Sequence, residues 1–254
     1  MLRRSASVEL KDAASPMQGT LAAGPPAVVL SGVHKRYWHG SEQVKVLDGV
    51  DLYARPGKFT SLVGPSGAGK STLLQLIAGL ETVTAGTISI GNVVVTALDE
   101  AARARLRLAN IGFVFQTFQL IPTLTALENA VLPLLLTGVA RKPAAAAGQS
   151  LLGELGLTTR LDHLPEQLSV GEKQRVCMAR AMVAGPSLLL ADEPTANLDG
   201  PATDDVMRLL HKAARSRGMT VVMASHDARA AAYADEVFML RGGMVTGVRG
   251  ADPA

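Results

Sequence analysis

The feature that most restricts the fold of this chain is a glycine-rich stretch between an apolar run and a helix. Gly64–Thr72 has the sequence Gly-Pro-Ser-Gly-Ala-Gly-Lys-Ser-Thr, which matches the pattern G-x-x-x-x-G-K-[ST]. The preceding run, Phe59–Val63, is apolar and β-prone, and a helix is predicted from Lys70 to about Ala78. A strand, such a loop and a helix in this order are typical of a phosphate-binding loop.

Each residue type in this loop has a chemical reason to be there. Glycines allow the backbone to curl so that successive N–H groups face inward, and the following helix adds the positive end of its dipole. Lys70 supplies a mobile positive charge for the outer phosphates, and the Ser71 hydroxyl is a hard oxygen ligand for Mg²⁺. We predict a phosphate site made of Gly64, Pro65, Ser66, Gly67, Ala68, Gly69, Lys70, Ser71 and Thr72.

Two adjacent carboxylates follow a second apolar run. Ser187–Ala191 predicts a buried strand, and Asp192 and Glu193 come directly after it. Ligands of α/β sheets bind at the carboxyl ends of the strands. Asp192 suits a direct or outer-sphere magnesium partner, and Glu193 suits the orientation or deprotonation of an attacking water. The structural alternative is an acidic capping pair in the turn to Pro194.

Composition excludes several classes of protein. The chain has 254 residues, of which 48% are hydrophobic and 19% charged, and its apolar runs are shorter than the roughly 18 to 20 residues that cross a bilayer. The net charge of +3 comes from scattered Lys and Arg, so no nucleic-acid partner is expected. A single cysteine, Cys177, excludes an intrachain disulfide or a multi-cysteine metal site and suits a reducing cytosol.

The remaining sequence predicts a layered α/β core. Met1–Pro26 lacks the apolar centre of a secretory signal and is predicted to be a flexible tail. Further strands are predicted at Ala27–Leu30, Val50–Ala54, Thr87–Val95 with a turn at Gly91 and Thr220–Ala224, and Ile111–Phe115 is a short apolar run. Helices are predicted within Leu120 to about Ala184 and at Ala202–Arg215 and Ala228–Ala234, with a terminal hairpin formed by Glu236–Leu240 and Met244–Val248.

Further motifs follow the phosphate loop in a fixed order. They are Gln116, Leu168-Ser169-Val170-Gly171-Glu172, Asp192-Glu193, Asn197-Leu198-Asp199 and Ser225-His226-Asp227. With the loop, this set resembles the ATP-binding cassette family, the ATP-hydrolysing subunits of ABC transporters, over about residues 27 to 248. The resemblance implies an α/β fold with a P-loop NTPase core, an antiparallel β subdomain and an inserted α-helical signature subdomain at about 117–184. Residues 249–254 would form a C-terminal tail.

The resemblance implies ATP and Mg²⁺ as cofactors and gives roles to single residues. The catalytic residues would be Lys70, Gln116, Glu193 and His226. The metal would be held by Ser71, Gln116 and Asp192. Gln116 would reach the metal and the attacking water, and His226 would contact the terminal phosphate and hold Glu193 in line. Tyr37 would stack on adenine, with Trp38 as the alternative because neighbours on a strand point to opposite faces.

A second copy of the chain would complete the site in this family. Ser169, Gly171 and Glu172 would bind ATP held by the other subunit, and Asp199 would lie at the seam of the homodimer. The family commonly has two glycines and a glutamine where this chain has Val170, Gly171 and Glu172. Ser169 and Glu172 also fit a capping box, which would direct Glu172 backward and leave the helix N–H groups facing the phosphate. Val170 requires this position to avoid positive φ.

Two phrases narrow the branch of the family. Phe115–Asn129 and Asp192–Asp199 are similar to the ATPases of lipoprotein release and macrolide export. That branch implies a peripheral protein on the cytoplasmic face of the bacterial inner membrane, bound to a transmembrane permease through which it contacts the membrane. A cell-division cassette that signals through a permease-like partner is the alternative, ahead of a DNA- or ribosome-acting cassette. A regulator that binds nucleotide without turnover is disfavoured by Glu193 and His226.

Overall fold

The computed structural model describes residues 27–227 and 232–250. The strands are β1 (Val28–His39), β2 (Glu42–Ala54), β3 (Phe59–Val63), β4 (Ala85–Ile90), β5 (Val93–Val94), β6 (Ile111–Val114), β7 (Leu188–Asp192), β8 (Thr220–Ser225), β9 (Glu236–Arg241) and β10 (Met244–Gly250). The α-helices are α1 (Lys70–Ile77), α2 (Glu100–Asn110), α3 (Ala126–Leu136), α4 (Arg141–Glu154), α5 (Val170–Met182) and α6 (Gly200–Arg217). The strands form a four-stranded sheet, β2-β1-β4-β5, and a six-stranded sheet, β10-β9-β3-β8-β7-β6.

The six-stranded sheet is built around a parallel centre. β3 pairs in parallel with β8 and β9, and β7 pairs in parallel with β8 and β6. All residues of β3, β7 and β8 are buried, which explains their continuous apolar sequences. The predicted strands Phe59–Val63, Ser187–Ala191 and Thr220–Ala224 are therefore confirmed to within one residue. Asp192 is paired with Ala224 at the carboxyl end of this ladder.

The antiparallel sheet differs from the sequence prediction in the length of its first two strands. β1 and β2 pair from Val28 with Ala54 to His39 with Glu42, so both strands are much longer than the predicted Ala27–Leu30 and Val50–Ala54. The added residues form the end of a hairpin whose side chains are mostly exposed. Their polar character concealed the strand, because an apolar run marks only the buried part. The predicted turn at Gly91 is confirmed between β4 and β5.

The helices cover the parallel sheet and form a leucine-rich cluster. α3, α4 and α5 pack on one another, and the buried core there includes Ala130, Leu152 and Met178. α2 was not predicted, because its sequence is dominated by arginine and alanine. It begins at an Asp99 cap, whose carboxylate accepts a hydrogen bond from the Ala102 amide.

Several predictions fall at or beyond the limits of the described residues. The tail at Met1–Pro26 lies outside them, as do residues 251–254. Residues 228–231 of the predicted helix Ala228–Ala234 are also outside, and the rest of that segment contains a turn. β10 continues to Gly250, beyond the predicted hairpin end at Val248. Within the described part of the chain, no helix combines the length and apolar character needed to cross a membrane.

Candidate functional site

The glycine-rich loop is fitted tightly between the two sheets. Gly69 has φ 98°, and a Cβ added to it would lie 2.9 Å from Leu47 Cδ2 on β2. A Cβ on Gly64 would overlap the carbonyl oxygen of Leu240 on β9. The Gly64 position therefore excludes any side chain, whereas Gly69 requires a backbone conformation that only glycine adopts at little cost. α1 begins directly after this loop, so its free N–H groups face the concave side.

Lys70 lies at the centre of the loop. Its ammonium donates to the carbonyl oxygens of Gly64 at 2.9 Å and Pro65 at 3.1 Å. It also lies 3.3 Å from Glu193 Oε1. The Lys70 side chain is only 5% exposed, so its charge is directed into the site instead of into solvent. The loop therefore holds a positive charge, which suits the binding of a phosphate chain. The Glu193 carboxylate lies next to this charge.

The side-chain oxygens of Ser71 and Asp192 lie next to each other beside this loop. The Ser71 hydroxyl donates to Asp192 Oδ1 at 2.9 Å. Burial raises the pKa of Asp192, and this effect is opposed by the Ser71 hydrogen bond and reinforced by the charge of Glu193. No cluster of three His, Cys, Asp or Glu side chains suited to a metal occurs among the described residues. The pair fits Mg²⁺, which is commonly held by one or two carboxylates together with water and substrate phosphates.

Glu193 and His226 form the second half of this cluster. Glu193 Oε2 lies 2.7 Å from His226 Nδ1 and accepts the His226 backbone N–H at 3.2 Å. The Glu193 amide donates to the Ala224 carbonyl at 3.0 Å, which extends the pairing of β7 with β8. Glu193 has φ 47°, a conformation that costs a non-glycine residue about 1 kcal/mol or more and is concentrated at functional sites. The carboxylate is buried, whereas His226 is 54% exposed and faces outward.

The predicted aromatic and glutamine residues lie outside this cluster. Tyr37 is half-buried and pairs with Val44 across the hairpin, and the Lys35 ammonium lies 4.6 Å from its ring centroid. Trp38 pairs with Gln43 and is 71% exposed. Gln116 is exposed in the loop after β6, the strand next to β7.

The signature residues form a cap at the start of α5. The Ser169 hydroxyl accepts the Glu172 amide at 3.2 Å, and Glu172 Oε2 accepts the Ser169 amide at 2.8 Å. The predicted capping box is confirmed, and Val170 is in the first turn of the helix with a negative φ, as its β-branch requires. Ser169 and Val170 are exposed, and Gly171 is half-buried. Asp199 caps α6 in a similar way, because its Oδ1 accepts the Ala202 amide at 3.0 Å.

Sequence reasoning missed the partner of the signature carboxylate. Arg160 Nε donates to Glu172 Oε1 at 2.8 Å. Hydrogen bonds from Arg160 and from the Ser169 backbone lower the pKa of Glu172 to about 2. No local pattern connects residues twelve positions apart across a 3-10 turn and a loop, so nothing in the sequence pointed to this pair.

Comparison with known proteins identifies the family of this chain. A family model described as ABC transporter matches residues 47–196. The lipoprotein-releasing system ATP-binding protein LolD of Geobacter metallireducens is 47% identical over 83% of this chain and 94% of its own length. The uncharacterized ABC transporter ATP-binding protein YbbA of Escherichia coli is 45% identical over 87% of this chain and 98% of its own length.

Solved structures extend the agreement to the fold. The dimeric structure of MJ0796, a bacterial ABC transporter cassette, superposes with a TM-score of 0.85 at 37% identity and covers 89% of this chain and 100% of its own. A post-hydrolysis structure of the same cassette, bound to ADP and Pi, gives a TM-score of 0.83. The chain therefore belongs to the ABC transporter family, as an ATP-binding cassette whose ATP hydrolysis powers a membrane transporter.

Proposed function

We propose that this cassette drives an export or mechanotransmission complex of the lipoprotein-release and macrolide-export type, with a reaction centre shared between two copies of the chain. The observation that carries the catalytic part is the position of the Glu193 carboxylate. One of its oxygens lies 2.7 Å from His226 Nδ1 and the other 3.3 Å from the Lys70 ammonium. The Glu193 carboxylate is thus held between the Lys70 ammonium, which would bind the phosphates, and His226 at the exposed side of the site.

The protein groups divide the work of phosphoryl transfer, which depends mainly on positioning and on charge compensation. The loop amides and Lys70 hold the outer phosphates. Glu193 accepts a proton from the attacking water, and His226 keeps the carboxylate and the water in line. Ser71 and Asp192, with Gln116, would hold Mg²⁺, which would supply positive charge against that of the phosphates. Tyr37 is the proposed stacking residue for adenine.

The second half of the centre comes from the signature of the other copy. Ser169, Gly171 and Glu172 lie at the N-terminus of α5, where free backbone N–H groups favour an anion. Ser169 and Asp199 are both exposed, as a residue at a seam must be. The dimeric arrangement of the similar cassette MJ0796 supports this proposal. Hydrolysis then requires the two copies to close, which makes catalysis conditional on association.

A mixing experiment tests the shared centre. Chains with Lys70→Ala and chains with Ser169→Arg should each lack ATPase activity as homodimers. In a mixed dimer, the intact loop of one copy faces the intact signature of the other, so one of the two centres is complete. We expect mixing to restore ATP hydrolysis to several times the sum of the separate samples, measured as released phosphate. Activity that never exceeds that sum would contradict a centre built from two chains.

The proposed partner is a transmembrane permease, to which this chain binds at the cytoplasmic face of the bacterial inner membrane, and no nucleic-acid partner is proposed. Similarity to a protein named for lipoprotein release supports this branch. Two exposed apolar side chains support a docking surface, Ile121 in the segment that follows Gln116 and Leu136 at the end of α3. Leu132, Pro133, Leu134 and Leu135 are half-buried, so packing explains this part of α3 better than docking does. Phe118 and Leu120 are the further residues that we propose for the docking surface.

Gentle purification of the chain from its native membrane tests the partner. We expect recovery of a membrane protein with about four spans and a large extracytoplasmic domain. Leu136→Glu should reduce that recovery, because it places a charge at an exposed apolar position of the proposed surface. Val94→Glu, at an exposed apolar position on β5, should not. A permease-like partner without the outer domain would favour the cell-division alternative. Recovery of DNA or ribosomes would contradict a transport role.

A further inference from the structure

Glu172 places a negative charge where the proposed function needs a positive one. It lies in the first turn of α5, whose N-terminus would receive the terminal phosphate of the other copy's ATP. A helix N-terminus attracts anions with about half a positive charge. With a pKa of about 2, Glu172 is ionised at neutral pH, so its full charge outweighs the helix dipole. A compensating cation is therefore needed for this helix end to bind phosphate.

Arg160 is that cation. Its Nε donates to Glu172 Oε1 at 2.8 Å, while Glu172 Oε2 accepts the Ser169 amide at 2.8 Å. Both carboxylate oxygens are thus bound by donors of the protein. The Glu172 side chain is 18% exposed, so it is turned away from solvent and its charge is largely satisfied within the chain.

The backbone holds Arg160 in place independently of this ion pair. Arg160 is the last residue of a 3-10 turn, Thr158–Arg160, and its amide donates to the Leu157 carbonyl at 2.9 Å. Its carbonyl accepts the His163 amide at 3.1 Å, and the His163 carbonyl accepts the Ala126 amide at the start of α3 at 2.8 Å. Arg160 is therefore attached to a fixed part of the helical cluster, from which it can restrain a neighbouring side chain.

We propose that Arg160 is a positioning residue for the composite reaction centre. By neutralising Glu172 and holding its carboxylate back, it keeps the N-terminus of α5 attractive to the terminal phosphate bound by the second copy. The inference rests on the proposed function, since it requires this helix end to meet nucleotide. Arg160 would act in the ATP-driven closure of the dimer. It would have no part in the first binding of nucleotide to the loop around Lys70.

A double-mutant cycle on ATP-driven dimerisation tests this role. All chains carry Glu193→Gln, and the dimer dissociation constant is measured with ATP and Mg²⁺ by analytical ultracentrifugation. Arg160→Ala is expected to raise this constant about tenfold, since the charge of Glu172 is then uncompensated near the phosphate in each of two sites. When Glu172→Gln is also present, Arg160→Ala should raise it only about threefold or less, because no carboxylate remains to be restrained. Arg160→Lys should restore most of the parent's dimerisation.

Two controls separate positioning from general loss of structure. Binding of a fluorescent ATP analogue to the monomer should be the same with and without Arg160→Ala, whereas a misfolded loop would lower it. Arg217→Ala removes another Arg–Glu pair, with Glu154 at 2.7 Å, and should leave the dimer constant within about twofold of the parent. If Arg160→Ala does not fold, Arg160→Gln takes its place in the cycle with the same expected values.

The possible failures point to different causes. Equal dimerisation with and without Arg160→Ala would overturn the inference and leave the proposed function standing. An equal loss with and without Glu172→Gln would also overturn it, because the effect of Arg160 would then not act through the carboxylate. Failure of the Glu193→Gln chain itself to dimerise with ATP would overturn the composite centre, and the role of Arg160 with it.

Discussion

Replacing Glu193 by glutamine is expected to lower steady-state ATP hydrolysis by at least about 100-fold and to accumulate a dimer bridged by ATP. Glutamine keeps the size of the side chain and an oxygen that can accept the His226 amide, which Glu193 Oε2 now accepts at 3.2 Å. It cannot take a proton from water. Nucleotide binding should persist, because Lys70 and the loop amides are unchanged. Phosphate release and size-exclusion chromatography with and without ATP measure the two effects.

The matched control removes a carboxylate from an ion pair far from the site. Glu154→Gln breaks the contact with Arg217 on the surface of α4 and α6 and should leave turnover within about twofold of the parent. Turnover near the parental value in Glu193→Gln would remove Glu193 from its proposed role as general base. Loss of turnover together with loss of nucleotide binding would instead indicate that the variant disturbs the loop through the contact with Lys70.

Replacing Lys70 by alanine is expected to raise the dissociation constant for ATP by at least about 10-fold, since a buried charge-assisted contact contributes about 1.5 to 3 kcal/mol. The lysine is almost fully buried, and its ammonium is directed at the loop carbonyls and at Glu193. Lys70 is the only lysine in α1. Isothermal titration with ATP and with ADP measures the change.

Two measurements make this result interpretable. Lys212→Ala removes an exposed lysine from α6 and should leave the affinity unchanged. Thermal unfolding of Lys70→Ala shows whether the loop survives, since the substitution leaves two carbonyls and a carboxylate without their shared donor. A folded Lys70→Ala chain that binds ATP as tightly as the parent would contradict the phosphate-loop assignment.

Features that depend on neighbours in sequence were predictable, and those that depend on distant contacts were not. The loop at Gly64–Thr72 with its flanking strand and helix followed from a local pattern. The capping box of Ser169 and Glu172 also did, because it joins residues three apart. The contact of His226 Nδ1 with Glu193 joins residues 33 positions apart, and sequence alone suggested it only through the family resemblance.

The errors of prediction have the same physical origin. β1 and β2 were predicted too short because their outer halves lie on a half-exposed hairpin, where packing does not select apolar residues. α2 was missed because its arginines obscure the few buried positions, Ala102 and Leu106. The role of Arg160 was missed because the path of the chain between α4 and α5 brings it to Glu172, and no local sequence pattern reveals that path.

The pairing of β7 with β8 bears on which of two neighbouring carboxylates would take which role. Asp192 and Glu193 carry the same functional group and differ by one step along the backbone, so what distinguishes them is that Asp192 is the last residue of β7 and Glu193 lies just beyond it. The ladder with β8 ends at Asp192, which is paired with Ala224, and the chain then turns at Glu193, where φ is 47°. The point at which this ladder ends thus decides which acid would meet the ion and which would meet the water.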